Sequence, residues 1–182
     1  MNKEYTLMES EQYRLILLVD NTNFDYYTDI CVELNFDGKR ILLLKDTLLY
    51  LKNVFDKCKE QVNILDKNLD ERNLGLLLNE YYYYLYEEQE KYTIILDEQG
   101  QWIGERYICF SNLEYSTWIY RYDGDIVLKV TPIFYGFEKD DYLEEYEKFV
   151  QEYNDVFRIT ISTKQIKNAA ELIDNLYSSL SV

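Results

Sequence analysis

The chain has 182 residues and carries 34 Asp and Glu against 19 Lys and Arg, a formal charge of −15, with no histidine. Leu, Ile, Val and Phe supply 57 residues, enough to collapse a charged chain, so disorder is excluded; six glycines and one proline exclude collagenous and linker-rich chains. The acidic balance argues against a protein that grips phosphate backbones, and without an imidazole there is no Ser/Cys–His hydrolase and no His-ligated zinc.

The opening Met1-Asn2-Lys3-Glu4-Tyr5 has no basic segment ahead of an apolar one, so no signal peptide is expected. The most apolar run, Leu15 to Val19, is far short of the ~20 residues that cross a bilayer. Cys31, Cys58 and Cys109 are odd in number, widely spaced and form no CxxC, so neither a disulfide framework nor a zinc site is expected. The predicted location is the cytoplasm.

Gln12 to Val19 is predicted as a strand. Thr28 to Phe36 alternates, with Ile30, Val32, Leu34 and Phe36 on one face, the period of a half-buried strand. Asp37-Gly38 is a preferred two-residue hairpin turn, and Lys39 to Leu44 is its return strand. Thr47 to Leu65 has a helical stripe of Leu48, Leu51, Phe55, Cys58, Val62 and Leu65, which places Cys58 in the core rather than at a reactive site. Residues 74–86 fit a helix through Leu74, Leu77, Leu78, Tyr81, Tyr82 and Leu85, although Tyr81 to Tyr84 favour a strand on propensity. Asp97 to Gly100 is predicted to join Thr93–Leu96 to a strand over Trp102–Phe110, and Asp123-Gly124 to join Thr117–Tyr122 to Asp125–Thr131. A helix follows from Asp140 to Tyr153 on the stripe Tyr142, Tyr146, Phe149, Val150 and Tyr153. After a short strand the last helix, Thr163 to Leu180, opens on Ser162-Thr163-Lys164-Gln165, a capping box. The fold class is α+β: a mainly antiparallel sheet of hairpins packed with three to four helices, in one domain spanning residues 1–182.

The charge is unevenly placed. Residues 20–37 hold a net of −5, residues 79–98 another −5 and residues 138–155 a net of −6, which leaves +1 for the rest. On the helix from Asp140, the side away from the Tyr/Phe stripe presents Asp140, Asp141, Glu144, Glu147, Lys148, Gln151, Glu152 and Asp155. Such a face is either solvated surface or an electrostatic docking site for a basic partner. Several of the 20 tyrosines fall on core stripes, and Trp118, Tyr120 and Tyr122 share one face of a strand, so that face is core or interface.

Tests for chemistry come back empty. The glycines form no phosphate-binding loop. Asp20 to Asp25 begins like a calcium loop but lacks its sixth-position Gly, and Cys31 stands where its twelfth-position Glu belongs. No catalytic residue, cofactor site or metal site is assigned.

Trp102-Ile103-Gly104-Glu105-Arg106-Tyr107, Ser116-Thr117-Trp118-Ile119-Tyr120, the Asp123-Gly124 turn and Val130-Thr131-Pro132-Ile133-Phe134-Tyr135 together resemble small acidic bacterial immunity proteins encoded beside polymorphic or contact-dependent toxins. The resemblance covers residues 102–135 and implies a one-to-one inhibitor of a neighbouring toxin; its motifs are structural and carry over no functional residue. The expected function is therefore a non-enzymatic immunity-type protein that occludes a basic toxin domain. Asp140, Asp141, Glu144, Glu147 and Glu152 would form the partner-binding face, with Tyr120 and Tyr122 as anchors. The alternative is a cytoplasmic binding module or nucleic-acid mimic with another partner; neither nucleic acid nor membrane is expected as a ligand.

Overall fold

The computed structural model describes residues 3–20, 27–67, 69, 74–87 and 102–179. The protein is α+β, and the described residues form two four-stranded sheets and four α-helices. Backbone contacts divide the chain into two compact units, one formed by residues 1–62 and 160–182, the other by residues 63–159.

The first sheet is a meander of β1 (Lys3–Glu9), β2 (Tyr13–Val19), β3 (Asp29–Phe36) and β4 (Lys39–Thr47), antiparallel throughout. β3 buries every second side chain as its alternation predicts. Both residues of the β3–β4 turn, Asp37 and Gly38, have positive φ (47° and 71°), the twist that matches a right-handed strand pair. α1 (Leu48–Glu60) starts where the Thr47 side chain accepts from the Tyr50 N–H, and it stops before Val62 and Leu65, which lie outside it. α4 (Thr163–Ser178) has the complete capping box, Ser162 and Gln165 each satisfying the other's amide. Its Ile166, Ala169, Ala170, Ile173 and Leu176 are buried, α4 packs on α1 and β1, and its Gln165 side chain donates to the Tyr13 hydroxyl at 3.0 Å.

The second sheet has the order β5-β6-β7-β8, with β5 (Ile108–Ser111), β6 (Tyr115–Tyr122), β7 (Asp125–Pro132) and β8 (Phe157–Ile161). The β6–β7 turn repeats the first, with positive φ at Asp123 (50°) and Gly124 (92°). α2 (Leu74–Tyr86) is the helix that its period predicts, the four-tyrosine run included. α3 (Tyr142–Gln151) has no buried residue.

Three expectations change. Residues 102–107 do not extend a strand: Ile103–Tyr107 is a 3₁₀ turn and β5 starts only at Ile108. The Trp102 ring folds back over Gly104, where a Cβ would stand 2.3 Å from it. β1 was not foreseen, because Lys3-Glu4-Tyr5-Thr6 has little apolar alternation. Tyr120, named as a partner anchor on a face that the sequence leaves as core or interface, is fully buried; its ring stands edge-on to Tyr107 at 6.2 Å in a core with Leu65, Leu74, Leu78, Trp102, Trp118 and Val127. The hairpin at Asp97–Gly100 with its strand Thr93–Leu96, and residues 21–25 of the calcium-like loop, lie outside the described residues.

Candidate partner-binding surface

The candidate surface lies within residues 63–159, the unit that holds most of the charge: 21 Asp and Glu against 9 Lys and Arg, a net of −12. α3 is mounted on aromatic rings rather than on a buried aliphatic stripe. Tyr146 stacks on Tyr83 of α2 at 4.7 Å with the planes 7° apart, and it meets Phe134 at 5.3 Å. Tyr86 of α2 stacks on Phe137 at 5.2 Å, and the Tyr142 hydroxyl donates to the Glu87 carboxylate. Contacts of this kind contribute about 0.5–1.5 kcal/mol each beyond burial.

The rings' electrostatics follow. Donation to Glu87, then burial, pushes the Tyr142 hydroxyl up to about 12. Burial first, then the charges of Glu80, Tyr83 and Tyr84, pushes Tyr146 to about 12. Burial, Glu87, Tyr84 and Glu147 push Tyr83 upward. Glu80 on α2 and Glu87 just beyond its end thus stand close to the rings that carry α3, so carboxylates from two separate acidic stretches of sequence share one region.

With its inner face on these rings, α3 turns its charges outward. Asp140, Asp141, Glu144, Glu147 and Glu152 are all exposed, as the sequence implies. Helical spacing puts Glu144, Glu147 and Gln151 along the outer ridge. Leu143 and Val150, two turns apart, lie on one flank of that ridge and are 50% and 38% exposed. The sequence stripe assigned Val150 to the buried side; the rings of Tyr142, Tyr146 and Phe149 leave it outside. Asp155, also assigned to the acidic face, is turned inward. Its Oδ2 is 2.9 Å from Nζ of Lys129, which is fully buried.

The other flank of α3 borders a groove of about 630 Å³ between Glu145, Lys148, Phe149 and Glu152 of α3 and the segments Glu114–Tyr115 and Pro132–Gly136. Beyond Pro132, the last residue of β7, the second segment has no regular structure, and a residue of α2 holds it. Asn79, 1% exposed, donates to the carbonyls of Gly75 (2.8 Å) and Pro132 (3.0 Å) and accepts from the Phe134 N–H at 2.6 Å. Sequence reasoning missed Asn79 altogether, because its partners Pro132 and Phe134 lie 53 and 55 residues away and no local pattern marks them. The Ile133 N–H donates to the Glu114 carbonyl at 2.8 Å, which ties the two segments together. Tyr122 is exposed (44%) but stands seven residues along β6 from Tyr115, about 23 Å at strand rise, so the structure does not bring it to this groove.

Among the described residues, no group of three or more Cys, Asp or Glu is placed to hold a metal ion, and no helix is long and apolar enough to cross a membrane. No known protein family, curated protein or solved structure matches the chain.

Proposed function

We propose that this chain is an immunity-type binding protein that docks a basic partner, a cognate toxin domain, on the outer face of α3 and blocks its active cleft. The observation that carries this reading is the pairing of exposed Leu143 and Val150 with the carboxylates of Glu144 and Glu147 on α3 and of Asp140 and Asp141 just before it. Specific interfaces have an apolar centre that supplies affinity and a charged rim that steers encounter. The resemblance of residues 102–135 to immunity proteins supports the same reading.

The test is a calorimetric titration against the carboxy-terminal domain of a large secreted protein encoded in the adjacent reading frame. Tight one-to-one binding is expected, weakened more than about tenfold by Leu143→Asp or Val150→Asp. The absence of such a neighbour, or binding indifferent to both substitutions, contradicts the proposal.

A further inference from the structure

The acidic ridge explains how a basic partner is attracted, not what fixes its register. The groove on the other flank of α3 supplies that. Its floor is aromatic: Phe134 and Phe149 lie 5.5 Å apart, their planes inclined at 52°. Tyr135, 68% exposed, and Tyr115 stand at the mouth, and the Tyr115 hydroxyl is raised by burial and by the charges of Glu114 and Tyr135, which places these three together. Within the groove Lys139 donates to both oxygens of Glu145, at 3.0 and 2.7 Å, so those two charges cancel. The remaining lining charges are Glu114 and Glu152 against Lys148.

The shape is fixed before any partner arrives. Asn79 pins Phe134 through its backbone. Gly136 lets the walls close: a Cβ there would stand 2.8 Å from Phe134 Cζ and 3.1 Å from Glu145 Oε2. Aromatic faces attract cations and repel anions, and two carboxylates against one ammonium favour the same sign.

We infer that this groove accepts a cationic side chain projected by the partner, an arginine guanidinium laid over Phe134, Phe149 and Tyr135 and hydrogen-bonded to Glu152 or Glu114. The guest's positive charge rests on the proposed basic partner, but its chemistry is testable without that partner.

The experiment is an amide NMR titration of the full chain with N-acetyl-arginine N-methylamide. The citrulline and glutamate analogues serve as the neutral and anionic arms. Saturable shifts are expected at Tyr135, Gly136 and Phe149 with the arginine compound alone, weakened about threefold by Tyr135→Ala and by Glu152→Gln. Both substitutions are on exposed side chains, and retained spectral dispersion shows that the variants fold. Equal shifts with citrulline, shifts with the glutamate compound instead, or none at the groove overturn the inference. Those results do not touch the reading of Leu143 and Val150. Conversely, intact arginine shifts with no binding of the neighbouring domain contradict the immunity reading and leave the groove's chemistry standing.

Discussion

Asn79 uses both amide hydrogens and its carbonyl oxygen on three backbone groups, two of them on a loop 53 and 55 residues away. Asn79→Ala leaves a buried N–H and two carbonyls without these partners, and should cost about 2–3 kcal/mol in urea unfolding. Gly75, one turn earlier, faces Tyr153: a Cβ would stand 1.9 Å from its hydroxyl and 2.7 Å from Thr131 Cβ. Gly75→Ala should therefore destabilise the fold by more than about 1 kcal/mol. Adding Tyr153→Phe should return part of that loss, since it removes one of the two clashes; a double variant no more stable than Gly75→Ala would contradict the geometry. None of this is readable in the sequence. An Asn or Gly on a helical stripe is ordinary until the tertiary partner is known, and the inward turn of Asp155 depends on Lys129 of another element.

At the scale of elements, local signals were sufficient where the backbone itself is the constraint. Asp-Gly at both hairpins demands positive φ, and Ser162 with Gln165 demands a helix start, so these features were predictable from adjacent residues. Ser162→Ala should accordingly cost about 1 kcal/mol of stability. Residues 102–107 differ because Ile103–Tyr107 closes into a 3₁₀ turn with the Trp102 ring over Gly104, an arrangement that periodicity does not encode. The ring-mounted helix α3 has its own signature in pH. Unfolded tyrosines ionise near ~10, whereas Tyr142 and Tyr146 are pushed up to about 12 in the fold. The folded chain therefore keeps protons that the unfolded chain releases, and the stability linked to these two groups is complete below about pH 10 and lost as pH rises toward about 12. Urea midpoints taken across that window should fall, and Tyr146→Phe should flatten the fall. An unchanged slope in that variant would show that α3 does not rest on Tyr146.

For the whole molecule, the structure turns a total charge of −15 into a distribution: residues 63–159 hold a net of −12, and the other unit holds −3. In that other unit several carboxylates have cationic partners. Asp174 of α4 pairs with Lys52 at 3.0 Å and Lys59 at 3.4 Å, and its hydrogen bond from Lys52 holds it below the usual carboxylate range. Among the described residues, no ion pair to Asp140, Glu144 or Glu147 is found, and it is there that the proposed docking charge stands. Sequence windows located this excess along the chain. They did not show that Glu80 of α2 and Glu87 just beyond it stand beside the rings that carry α3, because that meeting depends on the stacking of Tyr83 on Tyr146.

The most direct measurement of the docking claim is the stopped-flow association rate with the domain encoded in the neighbouring frame, for the native chain and for Glu144→Lys/Glu147→Lys, at ~20 mM and ~500 mM NaCl. The native rate should fall steeply with salt. The double variant should associate about tenfold more slowly at low salt, and its rate should depend on salt much less. Equal rates and equal salt slopes for the two proteins would contradict a docking role for α3.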